Sequence, residues 1–323
     1  MSAPTILDPL PEPVAKRLAA LRDNLDIRIP AKKIGRNLLI ATWNIRAFGN
    51  LTRKWATDED DSPRRDLASV RYIAEIVSRF DVIAIQEVKA NIRAFRDMMR
   101  VLGPSWSFIL TDVTAGSSGN GERMAYVFDT RRVHLSGLAS EIVVPRKWLD
   151  EVGQDALREQ FARSPYAVSF RSESKTFILV TLHILYGKRS KDRIPELRGI
   201  ARWLSEWATD INAYDQNLIA LGDFNIDKRG DLLDQTFLAE GLSVPAGLQA
   251  PAATRSIFDE TKYYDQIAWF DGAGGQPALS MNLLAAGAYD FVPLLWDQAT
   301  HSKVQFSWML SDHYPLWTEF SVR

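Results

Sequence analysis

The chain has 323 residues, 46% hydrophobic and 24% charged, ordinary proportions for a soluble globular protein with ample material for a large core. Its formal net charge of −1 supplies no global positive field to gather nucleic acid, although a neutral protein can still carry a local basic rim. Cysteine is absent, which excludes disulfides, thiolate metal sites and cysteine nucleophiles together. The opening MSAPTILDPLPEPV lacks a basic segment and an apolar core of signal-peptide length, and no apolar run elsewhere could span a bilayer. A cytoplasmic location is the simplest expectation.

Residues 1–35 read as an extension. Four prolines, at Pro4, Pro9, Pro11 and Pro13, precede a stretch in which Val14, Leu18, Leu21 and Leu25 recur at helical spacing. This predicts a short amphipathic helix packed on the main domain; a partner-binding helix is the alternative. The body, 36–323, begins with NLLIATWNIRAFG, an apolar strand ending in polar groups at Asn44 and Arg46. The charged loop from Asn50 to Pro63 follows, and its run Asp58–Asp61 reads as solvated rather than as a metal site. Leu67, Val70, Ile73, Ile76 and Val77 then form one helical stripe within Arg65–Arg79.

The segment DVIAIQEVKAN is a second strand that ends at an acid, Glu87. A helix near Ile92–Leu102 and a strand over Ser105–Thr111 come next. The Gly-rich turn AGSSGNG is a hairpin loop rather than a phosphate cradle, since no Lys-Ser or Lys-Thr pair follows it. It leads into the strand ERMAYVFD, which opens with Glu122. Glu141–Arg163 is the least legible part, a loop-and-helix excursion. Strands return at Tyr166–Arg171 and Thr176–Leu182, the latter ending at His183, and Arg193–Trp207 has a helical inner face. In NLIALGDFNID a buried strand stops abruptly at Gly222 and exposes Asp223 and Asn225 at its exit. Alone, that pair could equally make a turn. A helix near Asp231–Leu242, a strand from Asp265 and the closing SDHYPLWTEF complete the chain. Strands and helices are mixed throughout, with no internal repeat and no linker inside the body, which predicts one continuous domain.

The polar strand exits form a candidate site: Asn44, Glu87, His183, Asp223, Asn225, Asp265, Asp312 and His313. Polar groups at the carboxyl ends of central strands face the crevice where layered α/β folds bind ligands. Glu87, Asp312 and Asn44 are oxygen donors, the ligand chemistry of a hard cation such as magnesium or manganese. Only four histidines occur in the chain. His134 and His301 read as structural residues. His183 and His313 stand at a strand exit or beside an acid, with Glu122 and Asp265 as candidate carboxylates to fix one tautomer and raise basicity.

Seven segments, TWNIRAFG, DVIAIQEVK, GERMAYVFD, TLHILYG, LGDFNID, YYDQIAWF and LSDHYPL, resemble in order the motifs of the endonuclease/exonuclease/phosphatase superfamily, and within it look most like deoxyribonuclease I. The resemblance runs from about Leu38 to Phe320. It implies an α+β fold, a four-layer α/β/β/α sandwich of two mixed sheets. It also implies hydrolysis of a phosphate ester by in-line attack of water with a divalent cation. By position, Glu87 matches the main metal ligand, and Asn44 and Asp312 match residues around the ion. His313, paired with Asp265, matches the general base. His183, oriented by Glu122, matches the group that protonates the leaving oxygen or stabilises the transition state. Asp223 would position or deprotonate the water, and Asn225 would hydrogen-bond the phosphoryl oxygens.

Arg46, Lys89 and Arg163 occupy places where the nuclease branch reaches the DNA backbone and minor groove, so DNA is the implied substrate. One departure is Asn120, at the place of a tyrosine that stacks in the minor groove. Trp148 and Trp55 could stack on a base or a lipid, or pack in the core. Alternatives are a phosphatase or phospholipase on the same scaffold, acting on inositol phosphates or sphingomyelin, and an inactive binding module that keeps the fold.

Overall fold

The computed structural model describes residues 3–113, 121–142, 163–210, 215, 217–272 and 277–323. The Gly-rich turn with Asn120, and most of the 141–163 excursion with Trp148, lie outside the described residues.

Two six-stranded sheets stack face to face. The first runs in spatial order β11 (Leu283–Ala288), β12 (Leu316–Ser321), β1 (Asn37–Phe48), β2 (Val82–Lys89), β4 (Glu122–Asp129) and β3 (Trp106–Leu110). The second runs β5 (His134–Glu141), β6 (Tyr166–Ser172), β7 (Lys175–His183), β8 (Leu218–Asp223), β10 (Asp265–Phe270) and β9 (Leu242–Ser243). Helices α1 (Glu12–Arg28), α2 (Leu67–Val77) and α3 (Arg93–Leu102) cover the first sheet, while α4 (Ile194–Thr209) and α5 (Leu232–Leu238) cover the second. Short helical pieces at 190–193, 246–249 and 292–295, and α6 (Lys303–Met309), are the remaining elements among the described residues. The result is the four-layer sandwich that the resemblance implied.

Strand β1 shows why the layers form. Leu38 and Ile40 point into the inter-sheet core; Leu39, Ala41, Trp43 and Ile45 point to the helical side. A strand apolar on both faces is stable only when covered on both faces. In α1, Val14, Leu18, Leu21 and Leu25 are buried against the same helical-side core. Asp66 caps α2 by accepting from the Ser69 amide at 2.8 Å, and Ser302 caps α6 reciprocally with Gln305. Among the described residues no helix is long and apolar enough to cross a membrane.

Each sheet has a parallel pair at its centre, β1–β2 and β7–β8, so four strands deliver their carboxyl ends to one edge of the sandwich. The antiparallel neighbours β4 and β10 begin at that edge, opening with Glu122 and Asp265. Register fixes the partners: Lys89 opposite Glu122, His183 opposite Asp223, and Asp223 opposite Asp265. Gly222 lies where β8 passes closest to β7. A Cβ at this glycine, whose φ is +143°, would sit 2.1 Å from the Leu182 carbonyl oxygen, so only glycine fits. Cross-sheet hydrogen bonds lock the layers, with Gln86 Nε2 donating to Thr181 Oγ1 and the Tyr126 hydroxyl to the Leu179 carbonyl, both at 2.8 Å.

Two expectations change. The helix predicted over Asp231–Leu242 stops at Leu238, because Leu242 and Ser243 pair with β10 as β9. Strands β5 and β11 form at the sheet edges without having been foreseen.

Candidate active site

Asp223 is the point on which the edge converges. Its Oδ2 lies 3.0 Å from Asn44 Nδ2, 3.6 Å from His183 Nε2 and 3.9 Å from His313 Nε2. Its Oδ1 accepts from the Asn225 amide at 2.9 Å, the local turn for which Asn225 takes a φ of +51°. Burial by itself would raise the Asp223 pKa, but the two imidazoles, the Asn225 amide and Asn44 together hold it below the usual carboxylate range.

His313 is fixed from several sides. Its Nδ1 lies 2.7 Å from Asp265 Oδ2. Its carbonyl accepts from Trp43 Nε1 at 2.8 Å, and its amide donates to Ser311 Oγ, which donates in turn to the Asn44 carbonyl. The end of β1 thus fastens the loop that carries the imidazole. Burial favours the neutral ring, yet Asp265, Asp223 and Asp312 outweigh it and push the imidazole pKa well above its ordinary value. Burial also lifts the Asp265 carboxyl to about 6, with His313 pulling the other way. The ring and the carboxylate therefore titrate as a coupled pair rather than as two independent groups.

His183 is held more loosely. Its Nδ1 is 3.5 Å from Glu122 Oε2 and is buried without a hydrogen-bond partner among the described residues. That oxygen accepts from Arg163 Nε at 2.7 Å, while Lys89 Nζ reaches Glu122 Oε1 at 2.6 Å. Burial opposes ionisation of Glu122, but His183, Arg163 and Lys89 overcome it and bring its pKa down to about 2. The orienting contact from Glu122 to His183 is present as a facing pair and is not closed as a hydrogen bond.

Glu87 sits on a bulge. Both the β1–β2 and β2–β4 registers shift there, and its φ is +61°, a strained value for a glutamate. The strain aims its carboxylate at the site, where it accepts from Asn44 Nδ2 at 3.2 Å and the Ala47 amide at 2.8 Å. Arg65, fully buried, pins this turn by donating to the carbonyls of Arg46, Ala47, Met309 and Leu310. Nothing in the periodicity of its segment marked it.

Of the expected ligands, Glu87 and Asn44 come together. The Asp312 carboxylate instead lies 3.6 Å from Arg46 Nη1 and, among the described residues, forms no hydrogen bond to Glu87 or Asn44. The donor set nonetheless fits a hard cation. Among the described residues, Asn44 Oδ1 and Asp265 Oδ1 are buried oxygens without hydrogen-bond partners, and Asp223, Asp265 and His313 are grouped closely enough to share an ion. The three expected substrate cations are all engaged within the protein. Lys89 and Arg163 hold Glu122, and Arg46 contacts Ser307 and Asp312 with its guanidinium over the Trp308 ring at 3.9 Å.

Known proteins resemble this chain in sequence and in fold. A deoxyribonuclease of Thioalkalivibrio is 29% identical over 201 residues, which are 60% of this chain and 48% of that protein. Bovine deoxyribonuclease-1 is 26% identical over 204 residues, 60% of this chain and 63% of that one. The chain thus spans between about half and just under two thirds of the length of these relatives. Among solved structures, a mannosyl-6-phosphatase of Bacteroides thetaiotaomicron aligns with a TM-score of 0.57 at 18% identity, over 88% of this chain and 99% of that one. At such identity the likeness is one of fold. The profile of the Endonuclease/Exonuclease/phosphatase family matches residues 41–277, and the chain belongs to that family.

Proposed function

We propose that residues 36–323 form a divalent-metal-dependent phosphodiesterase, a DNA endonuclease of low sequence specificity, with residues 1–35 as an extension packed on it. Family members are phosphoric ester hydrolases and are generally dependent on a divalent metal. The observation that carries the reading is the convergence on Asp223 of two imidazoles from separate strands and the Asn44 amide.

Glu87 and Asn44 would hold the ion, Mg2+ or Mn2+, with Asp312 and Asp223 around it. When bound, the ion neutralises charge developing on the phosphoryl oxygens. The residues of the chain divide the remaining work. In its neutral form His313 takes a proton from the attacking water on Nε2, the nitrogen facing Asp223, while Asp265 keeps Nδ1 and the ring orientation fixed. Asp223 positions that water. One hydrogen of Asn225 Nδ2 is occupied by the Ile184 carbonyl at 2.6 Å, which orients the other toward a phosphoryl oxygen. His183 delivers a proton to the departing oxygen as the P–O bond breaks. Arg46, Lys89 and Arg163 line the approach and meet the backbone by exchanging part of their internal partners for phosphate.

The test is nicking of supercoiled plasmid in Mg2+, measured beside release of inorganic phosphate from monoesters. Nicking that EDTA abolishes is the expected outcome. Phosphate release without nicking would move the chain to the phosphatase reading that the mannosyl-6-phosphatase fold suggests. Oligonucleotide binding without turnover would make it a binding module.

A further inference from the structure

The three cations that the family pattern assigns to DNA are paired inside the protein, whereas exposed cations without partners cluster elsewhere. The turn after β7, the turn after β8 and the approach to β10 form an open groove of about 680 Å³. Six cations face Asp227 and Asp231 there. Arg193 and Lys262 are held by Asp227 at 3.0 and 3.5 Å. Arg189 is tied to Asp192. Lys188, Lys191 and Lys228 are exposed, and among the described residues their ammonium groups form no hydrogen bond or ion pair. In a protein with net charge −1 this concentration of free positive charge is local and strong.

The groove adjoins the site. Tyr186 follows His183 by three residues and Lys228 follows Asn225 by three, an extended reach of roughly 10 Å. Tyr264 links the two regions, its ring 5.6 Å from that of His313 and 6.3 Å from that of Tyr186. Tyr186 is 53% exposed, with Arg193 packed on its ring at 4.3 Å, so a rigid aromatic face lies among the lysines. A small phosphate needs neither that length nor that face. A polynucleotide strand needs both, since it presents regularly spaced phosphates and bases able to stack.

We propose that this groove is a second backbone-binding site. Lys188, Lys191 and Lys228 would meet successive phosphates of a nucleic-acid strand on one side of the scissile bond, and Tyr186 would stack on a base or sugar of that strand. The assignment rests on the nuclease reading for its substrate and not for its charges.

The experiment changes Lys188→Ser, Lys191→Ser and Lys228→Ser together in the full chain, and Tyr186→Ala separately. Affinity for a duplex of about 20 base pairs and for the matching single strand is followed by anisotropy from about 50 to 200 mM salt. Turnover is measured on plasmid and on bis(p-nitrophenyl) phosphate, a single diester too short to reach the groove. The triple variant is expected to make the slope of log affinity against log salt shallower by about 2 to 3, close to one unit per lost phosphate contact. The ratio of kcat/KM on plasmid to that on the small diester should fall at least about ten-fold, and Tyr186→Ala should lower it without altering the slope. A change on the duplex alone assigns the groove to double strands; a change on both substrates assigns it to one strand. An unaltered slope and ratio, in an enzyme that nicks plasmid, would overturn the proposal. So would lysine-dependent binding to phosphatidylserine vesicles with no effect on DNA. If the unaltered chain hydrolyses neither substrate but binds DNA with a lysine-dependent slope, the hydrolase reading fails and the groove stands.

Discussion

The two imidazoles face the same oxygen of Asp223, yet they are held in different ways. His313 closes on Asp265 at 2.7 Å. His183 faces Glu122 at 3.5 Å, across an oxygen that Arg163 already occupies. One ring is set in a single tautomer by a private carboxylate. The other borrows a carboxylate that two cations also use, so its orientation depends on where Arg163 and Lys89 are. On the proposed mechanism the contrast makes His313 a fixed base and His183 an adjustable acid, the second coupled to whatever draws those cations toward substrate.

Removing either ring gives the largest expected effect. His313→Ala and His183→Ala should each lower kcat by on the order of 10² to 10⁴-fold, the scale of a lost acid–base group, with unfolding transitions close to that of the parent chain. Near-normal turnover in either variant would take that ring out of the mechanism. Equal losses in Asp265→Asn and Glu122→Gln would erase the proposed difference between the rings, because the closed pair should suffer more.

Beneath the Glu87 side lies Arg65, donating to four carbonyls. Arg65→Met would leave those buried acceptors short of a donor, and a loss of about 3 kcal/mol is expected in denaturant unfolding. A variant with parental stability would show that the Ala47 turn holds Glu87 without this clamp.

The smallest effect concerns pH. Glu122 has its folded-state pKa brought down to about 2 by His183, Arg163 and Lys89, against the raising effect of burial. A depressed carboxylate contributes stability above its unfolded pKa and loses it as pH falls through the folded value. Between about pH 4.5 and 2 the chain should lose on the order of 1 kcal/mol that Glu122→Gln does not lose, allowing for solvent screening. Urea midpoints compared across that range test this. Parallel pH profiles would mean that the cations do not stabilise the carboxylate.

The sequence made the site legible where a strand ended abruptly in a polar group. Glu87 and Asp223 stand out because each is an acid at the end of an apolar strand, Asp223 directly after a glycine. The same logic failed at the edges. β5 alternates between exposed and half-buried positions, and β11 is a run of small residues with leucines left exposed; both are held by backbone pairing that leaves little mark on composition. The pairing of Lys89 and Arg163 with Glu122 was illegible for a different reason. It depends on the register of β2 with β4 and on a loop 41 residues away, and charge patterns along the chain carry no information about such partners. Arg65 stood just ahead of a helical stripe and gave no hint that its guanidinium would be buried.

Each imidazole–carboxylate pair draws one member from either layer. His183 is on β7 and Glu122 on β4, while Asp265 opens β10 and His313 leads into β12. Neither sheet owns a complete pair. Slippage of one layer over the other by an ångström or so would therefore stretch both contacts in the same movement, long before either sheet lost its ladder. Reactivity in such a sandwich is a gauge of interlayer alignment, and shear is the deformation to which it is most exposed.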